Sequence, residues 1–338
     1  MINGSHITEF AGLPVVEFVN LDTLAQEYPE PVQPHGLLDA ALKDPGSIAW
    51  RLRMEEPGGE QLEDLSAYLE RFTREVDPAA IRALVIAHIP IEDYWFESEE
   101  VRDRLVALAP RLPNLRSLFF GEVLQEESEV SWISHGDFAS LFAAFPELTE
   151  FFVRGTGDLR LRIGRHENLR RLTVQTGGLP GQVVRDVAAS DLPALEHLEL
   201  WLGVAGYGND TTTEDLAPVL SGEAFPRLRS LGLRNAQNTG VWVRAVAEAP
   251  VVSRLHTLDL SLGTLGDEDA QVLLDAPALR GLTKLDLHHH YLSEEAAERV
   301  RAEFTAAGVE VDVSDPQEPE IDEDGEETIV YRYPAVGE

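Results

Sequence analysis

The chain has 338 residues, enough for two ordinary domains or one elongated one, and its 43% apolar content supports a folded core rather than disorder. Sixty Asp and Glu against 27 Lys and Arg leave a formal charge of -33, which repels phosphate backbones and anionic lipid and so excludes nucleic acid and membrane surfaces as general partners. The absence of cysteine removes disulfides, thiolate metal sites and cysteine nucleophiles together. No run approaches 18 apolar residues, and residues 1–20 lack a basic stretch followed by an apolar block. A cytoplasmic location is therefore expected.

In chain order, residues 1–46 read as an N-terminal cap, with short apolar runs at Phe10–Phe18 and Gly36–Leu42. A single pattern then recurs: apolar, two variable, apolar, one variable, apolar. It starts with a degenerate copy at Ile48-Trp50-Leu52-Met54. Clear copies follow at Ile81-Leu84-Ile86, Leu115-Leu118-Phe120, Leu148-Phe151-Val153 and Leu169-Leu172-Val174. Four more stand at Leu195-Leu198-Leu200, Leu228-Leu231-Leu233, Leu255-Leu258-Leu260 and Leu282-Leu285-Leu287, and Val309-Val311-Val313 looks like a last one. The clear copies are 34, 33, 21, 26, 33, 27 and 27 residues apart. Each reads as a short strand with alternate side chains in one core.

Helix-period stripes fill the intervals: Leu62, Leu65, Leu69 and Phe72; Val101, Leu105 and Leu108 after Ser98; and Phe138, Leu141, Phe142 and Phe145. Leu216, Val219 and Leu220 form another, as do Ala270, Leu273 and Leu274, while a final helix from Ser293 turns Val300 and Phe304 inward. Strand, turn, helix and turn at such periods build a parallel solenoid, because no unit buries its apolar edge alone. Residues 47–314 are the expected solenoid. Residues 315–338 follow as an acidic loop and a capping strand, Thr328–Tyr333, whose alternation predicts one buried face.

The segments Leu255-His-Thr-Leu-Asp-Leu-Ser-Leu-Gly263 and Leu282-Thr-Lys-Leu-Asp-Leu-His-His-His290 resemble leucine-rich repeats of the ribonuclease-inhibitor-like class, and the chain is similar to bacterial proteins built from them. The resemblance implies an α/β fold: a right-handed leucine-rich-repeat horseshoe with a parallel sheet on the concave face and helices on the convex one. It also implies an asparagine three residues after the third apolar position. Val123, Thr156, Gly177, Gly203, Ala236, Gly263 and His290 stand there instead, so the turns must satisfy their backbone groups by other means.

Motifs for chemistry fail one after another. There is no Walker A loop and no nucleophile elbow. Gly177-Gly-Leu-Pro-Gly181 reads as a tight turn rather than a phosphate cradle. Of His288-His289-His290, strand alternation lets His288 and His290 share one side, but two ligands do not make a metal site, and solvated histidines at a strand end are expected. Glu320, Asp322 and Asp324 open like an EF-hand loop, yet Tyr331 occupies the twelfth position. No catalytic residue, metal or cofactor is assigned, and no enzyme activity is expected.

Residues flanking the inner positions face the open side of the sheet. They include Phe119, Phe152, Arg154, Arg171, Trp201 and Arg234, an aromatic and basic set of the kind that interfaces favour, together with Glu199, Asp259, Asp286 and His288. These ten are the candidate partner-binding residues. The alternative for the aromatics is that a cap or loop folds over Phe119 and Phe152. The expected function is a non-enzymatic, monomeric interaction module that takes a protein or peptide, basic ones included, on its concave face. The second reading is a GTPase activator, since Ran GTPase-activating proteins are similar in joining such repeats to an acidic C-terminal segment.

Overall fold

Register follows from the repeated triplet, whose middle residue lies opposite its counterpart in the next strand. A computed structural model describes residues 4–22, 37–54, 62–89, 98–324 and 327–337. The chain divides into two compact units, residues 3–169 and residues 170–338.

In the N-terminal unit a two-residue strand β1 (Glu9–Phe10) turns back antiparallel onto β2 (Leu13–Phe18). Parallel pairing then runs through β3 (Ala49–Leu52), β4 (Ala83–Ala87), β5 (Ser117–Glu122) and β6 (Glu150–Arg154). Val16 pairs with Trp50, Trp50 with Leu84, Leu84 with Leu118 and Leu118 with Phe151. Helices α1 (Leu37–Lys43), α2 (Leu65–Glu75), α3 (Ser98–Leu108) and α4 (Ala139–Ala144) fill the intervals. Their inward stripes meet the inward strand residues, as where Phe138 and Phe142 pack edge-on against Phe151. Leu62 departs from its expected stripe: it precedes α2 and is exposed.

The cap boundary at residue 46 needs correction. Leu13, Val16 and Phe18 are themselves a copy of the triplet, and β2 is a full member of the parallel sheet.

The C-terminal unit repeats the arrangement with β7 (Arg171–Gln175), β8 (His197–Gly203), β9 (Ser230–Ala236), β10 (Thr257–Asp259), β11 (Lys284–Asp286) and β12 (Glu310–Asp312). Leu172, Leu198, Leu231, Leu258, Leu285 and Val311 form one unbroken parallel register. The helices are α5 (Gly181–Ala188), α6 (Thr213–Leu220), α7 (Thr239–Ala247), α8 (Asp267–Asp275) and α9 (Glu294–Ala306). Ser293 caps α9 by accepting from Ala296 N–H.

Histidines and threonines do the work of the missing asparagines. His290 accepts from Leu292 N–H at Nδ1, so its Nε2 carries the proton and donates to Val313 O at 3.1 Å. His135 likewise donates from Nε2 to Arg154 O at 2.7 Å and accepts from the Ser98 hydroxyl at 2.8 Å, and burial pushes it down to about 4, leaving it neutral. Thr176 donates to Trp201 O and Thr239 to Ala236 O. His290 is thus a core residue, not the solvated strand-end histidine expected, and it cannot share a ligand with His288.

Gly203 lies at φ +70, and a Cβ there would run into the Gly177 carbonyl. This backbone contact explains the glycine-rich turn. The first amide of α5, on Gly181, donates to Asp210 Oδ1 at 2.6 Å, so a carboxylate holds the place a phosphate would take.

Beyond β12 the expectation of a buried capping strand also needs correction. β13 (Glu320–Asp324) and β14 (Glu327–Tyr331) pair with each other as a hairpin, and Ile321, Ile329, Tyr331 and Tyr333 are exposed. The hairpin satisfies its own ladder without pairing to β12, and these side chains stay in solvent. Docking falls to the segment after it. Arg332 pairs with Glu268, Ala335 N–H donates to Leu262 O, and Val336 exchanges two hydrogen bonds with the Asn235 side chain.

Candidate partner-binding faces

Strand alternation points Phe119, Phe152 and Arg154 of the N-terminal unit to the open side of the sheet, as expected. Phe119 and Phe152 are in register on β5 and β6, with ring centroids 5.8 Å apart. They are not free, however. Phe10 from β1 lies across them, 6.0 Å from Phe119 and 5.4 Å from Phe152, and Ile7, Leu13 and Val15 complete the cluster. Phe119 is 4% exposed and Arg154 is 5% exposed. Arg154 spreads over the Phe119 ring and donates to Val123 O at 2.9 Å. The covering element is the N-terminal segment, and the expected exposed aromatic patch does not exist.

A buried charge network that the sequence reading missed holds that segment down. The β4–β5 register slips after Ile86, so Glu122 rather than Gly121 sits opposite Ala87 and its carboxylate faces the open side. Gly121 makes the bulge possible at φ +85. Glu122 is 1% exposed and Arg51 is 7% exposed. Arg51 Nε donates to Glu122 at 3.0 Å. Glu122 accepts from Ile7 N–H at 2.9 Å, Arg51 donates to Ile7 O at 2.6 Å, and His6 Nδ1 stands 2.9 Å from Glu122. Burial resists charge on His6, but the Glu122 and Glu127 carboxylates outweigh it and hold the imidazole up at about 9.

The other seven candidates lie in the C-terminal unit. Glu199, Trp201, Arg234 and Asp259 converge into one cluster over β8 to β10. Trp201 Nε1 donates to Glu199 at 2.7 Å, and Arg234 Nη1 meets the same oxygen at 3.1 Å. Arg234 also bonds Ser261 at 2.9 Å, lies 3.2 Å from Asp259, and covers the indole at 5.2 Å. Burial resists ionisation of Glu199, yet His197, Arg234 and the indole N–H hold its carboxyl at about 2. Trp201, only 5% exposed, is therefore packed beneath Arg234 rather than offered as an anchor. Arg171 is exposed on β7.

Next to this cluster, carboxylates line up strand by strand. Asp259 is in register with Asp286, and Asp286 with Asp312. His288 Nδ1 is 2.6 Å and Lys284 Nζ 3.1 Å from Asp286; burial works against them, but together they hold its carboxyl at about 2. Ligand atoms of Asp286, His288 and Asp312 lie within 4.8 Å of one another. That spacing suits a divalent cation, but Lys284 already brings a positive charge to the same carboxylate.

No protein-family model matches the chain, and no curated protein matches it. Among solved structures it is similar to a Bacteroides fragilis protein, a Northeast Structural Genomics Consortium target, at 31% identity and a TM-score of 0.69, over 74% of this chain and 70% of that one. The chain belongs to the family of that Bacteroides protein. A Listeria monocytogenes internalin also matches, at 15% identity and a TM-score of 0.32, over 82% of this chain and 64% of that one; a likeness that low carries no argument. Among the described residues of this Bacteroides-family chain, no helix is long and apolar enough to cross a membrane.

For this family member the buried aromatics act on stability. Trp201→Ala and Phe119→Ala should each cost about 3–5 kcal/mol, measured by denaturant unfolding. Losses under 1 kcal/mol would mean that the rings are more accessible than their packing indicates.

Proposed function

We propose that the chain is a non-catalytic interaction module whose C-terminal unit binds an extended, basic segment of a protein partner along Asp259, Asp286, Glu310 and Asp312. The observation that carries this reading is the carboxylate register on β10, β11 and β12. Like charges directly opposite in a sheet are destabilising by a few tenths to about 1 kcal/mol each. Asp259 feels this: burial and the Asp286 charge raise its carboxyl above the usual range, against the pull of Arg234 and Ser261. Arg234 and Lys284 offset part of the repulsion. Lysines or arginines of a partner would offset more, and would be steered by the charge of the whole molecule. Local conflicts of this kind are expected at functional sites.

Peptide display against the immobilised full chain tests this. Selected sequences should carry Lys or Arg, and their affinity should fall as salt rises. The double variant Asp259→Asn/Asp286→Asn should bind them at least tenfold more weakly. Asp259→Asn alone should melt no lower than the parent at neutral pH, because a carboxyl with a raised value destabilises the fold once ionised. Enrichment of peptides without basic residues, or equal binding by the double variant, would reject the reading.

A further inference from the structure

We infer that the open sheet face of the N-terminal unit is a peptide groove occupied in cis by residues 6–10, and that a partner segment with a cationic side chain followed four residues later by an aromatic ring takes their place. This face is separate from the acidic row, and the inference does not depend on that row.

The segment is bound as a ligand would be. Its partners come from four successive strands: Arg51 on β3, Val85 on β4, Phe119 and Glu122 on β5, and Phe152 on β6. At Ile7 the main chain itself is read: its N–H goes to Glu122 and its C=O to Arg51. Those two side chains are nearly fully buried and fixed to each other, so a carboxylate and a guanidinium stand ready to clamp the N–H and C=O of one residue, which can be any except proline. Main-chain clamping with side-chain pockets on either side is the usual logic of extended-peptide recognition.

The flanking pockets set the sequence. On one side Glu122 and Glu127 receive His6, with Nε2 3.5 Å from Glu127. On the other, Phe119 and Phe152 receive Phe10. A cation, one clamped residue, and an aromatic at the fourth position beyond the cation is therefore the chemistry of the occupant.

The occupant is also weakly attached to the rest of the fold. It joins β2 through Ala11 and Gly12, both in the left-handed region at φ 53° and 71°. That is the turn of a two-residue hairpin loop, and alanine pays for the conformation. β1 pairs with β2 over two residue pairs only, with one more hydrogen bond from Val15 N–H to Thr8 O. β1 lies outside the parallel ladder from β2 to β6, so its release breaks none of those pairings. It would uncover Val85, Phe119 and Phe152, an apolar patch of the kind a partner covers.

The test uses the full chain with a protease site inserted between Ala11 and Gly12, cleaved after purification and dialysed. The probe is a fluorescent synthetic peptide of residues 4–11. It should bind the cleaved chain and bind the intact chain at least tenfold more weakly, since the tethered segment competes. Peptides carrying His6→Ala or Phe10→Ala should each lose at least tenfold, and one carrying Thr8→Ala little. No binding to a cleaved chain that remains folded, or equal binding by the Phe10→Ala peptide, overturns the inference. So does a stable dimer of the intact chain with exchanged segments, which would assign the groove to a second copy. Hydrogen exchange on the unmodified chain is the second measurement, valid even if the insertion fails to fold. Amides of residues 7–10 should exchange at least 100-fold faster than those of β4 and β5. Exchange at equal rates would make the segment part of the core and refute the groove.

Discussion

Arg51→Ala should destabilise the N-terminal unit by about 3–5 kcal/mol, because it strands buried charge rather than merely deleting a contact. The guanidinium bonds Glu122 and Ile7 O and lies 3.9 Å from Glu17. Without it two carboxylates with little exposure, Glu122 and Glu17, each lose one of their cationic partners, and the Ile7 carbonyl loses its donor. Pairing Arg51→Met with Glu122→Gln should recover a large part of the loss, since a buried pair replaced on both sides is often tolerated. Urea unfolding of the four chains in this cycle gives the answer. If the double variant is as unstable as the sum of the singles, the two side chains do not act as a unit.

The second large effect depends on pH. His6 titrates near 6.5 when unfolded and at about 9 in the fold. A raised value on a cationic group means stability that is complete below about pH 6.5 and lost as pH climbs through 9. The contribution is about 2–3 kcal/mol, and thermal melts of the parent between pH 6 and 10, minus those of His6→Gln, should show it. Glu127 works in the opposite direction. Burial opposes its charge, but His6, the Leu124 amide and Arg53 hold it at about 2. Its contribution is present above about 4.5 and vanishes as pH falls toward 2. A pH-independent difference between parent and His6→Gln would show that the imidazole is not held as a cation.

The sheet was legible because the triplet spacing is local. Trp50, Leu84, Leu118 and Phe151, like Leu172 through Val311, fell into register as the pattern required. The copy at Leu13-Val16-Phe18 carried the same signal and was hidden only by being counted as cap. Which side chains leave the inner core was legible too, from alternation. Whether they reach solvent was not. Phe119 is covered by Phe10, more than a hundred positions away, and no periodicity encodes such a contact. Glu122 escaped for another reason: the bulge at Gly121 reverses the parity of the strand, and a bulge is invisible to a pattern that assumes strict alternation. Trp201 under Arg234 could have been read, because the two are direct partners between β8 and β9 and a guanidinium beside an indole in register is placed to stack.

The unbroken register from β9 to β12 constrains how such a chain can change in length. Three successive strands there repeat every 27 residues with identical pairing, so each unit meets neighbours shaped like itself. Gene duplication or loss of one whole unit would leave both junctions with the contacts they already have, whereas insertion of a single residue within a strand would reverse the facing of the rest of that strand. Duplication of the β10 or the β11 unit would also add one aspartate to the row, since each of those brings its own, whereas the β9 unit has Gly232 at that position. The length of the acidic row is therefore a quantity that evolution, or an engineer, can set in steps of one strand spacing, about 4.8 Å.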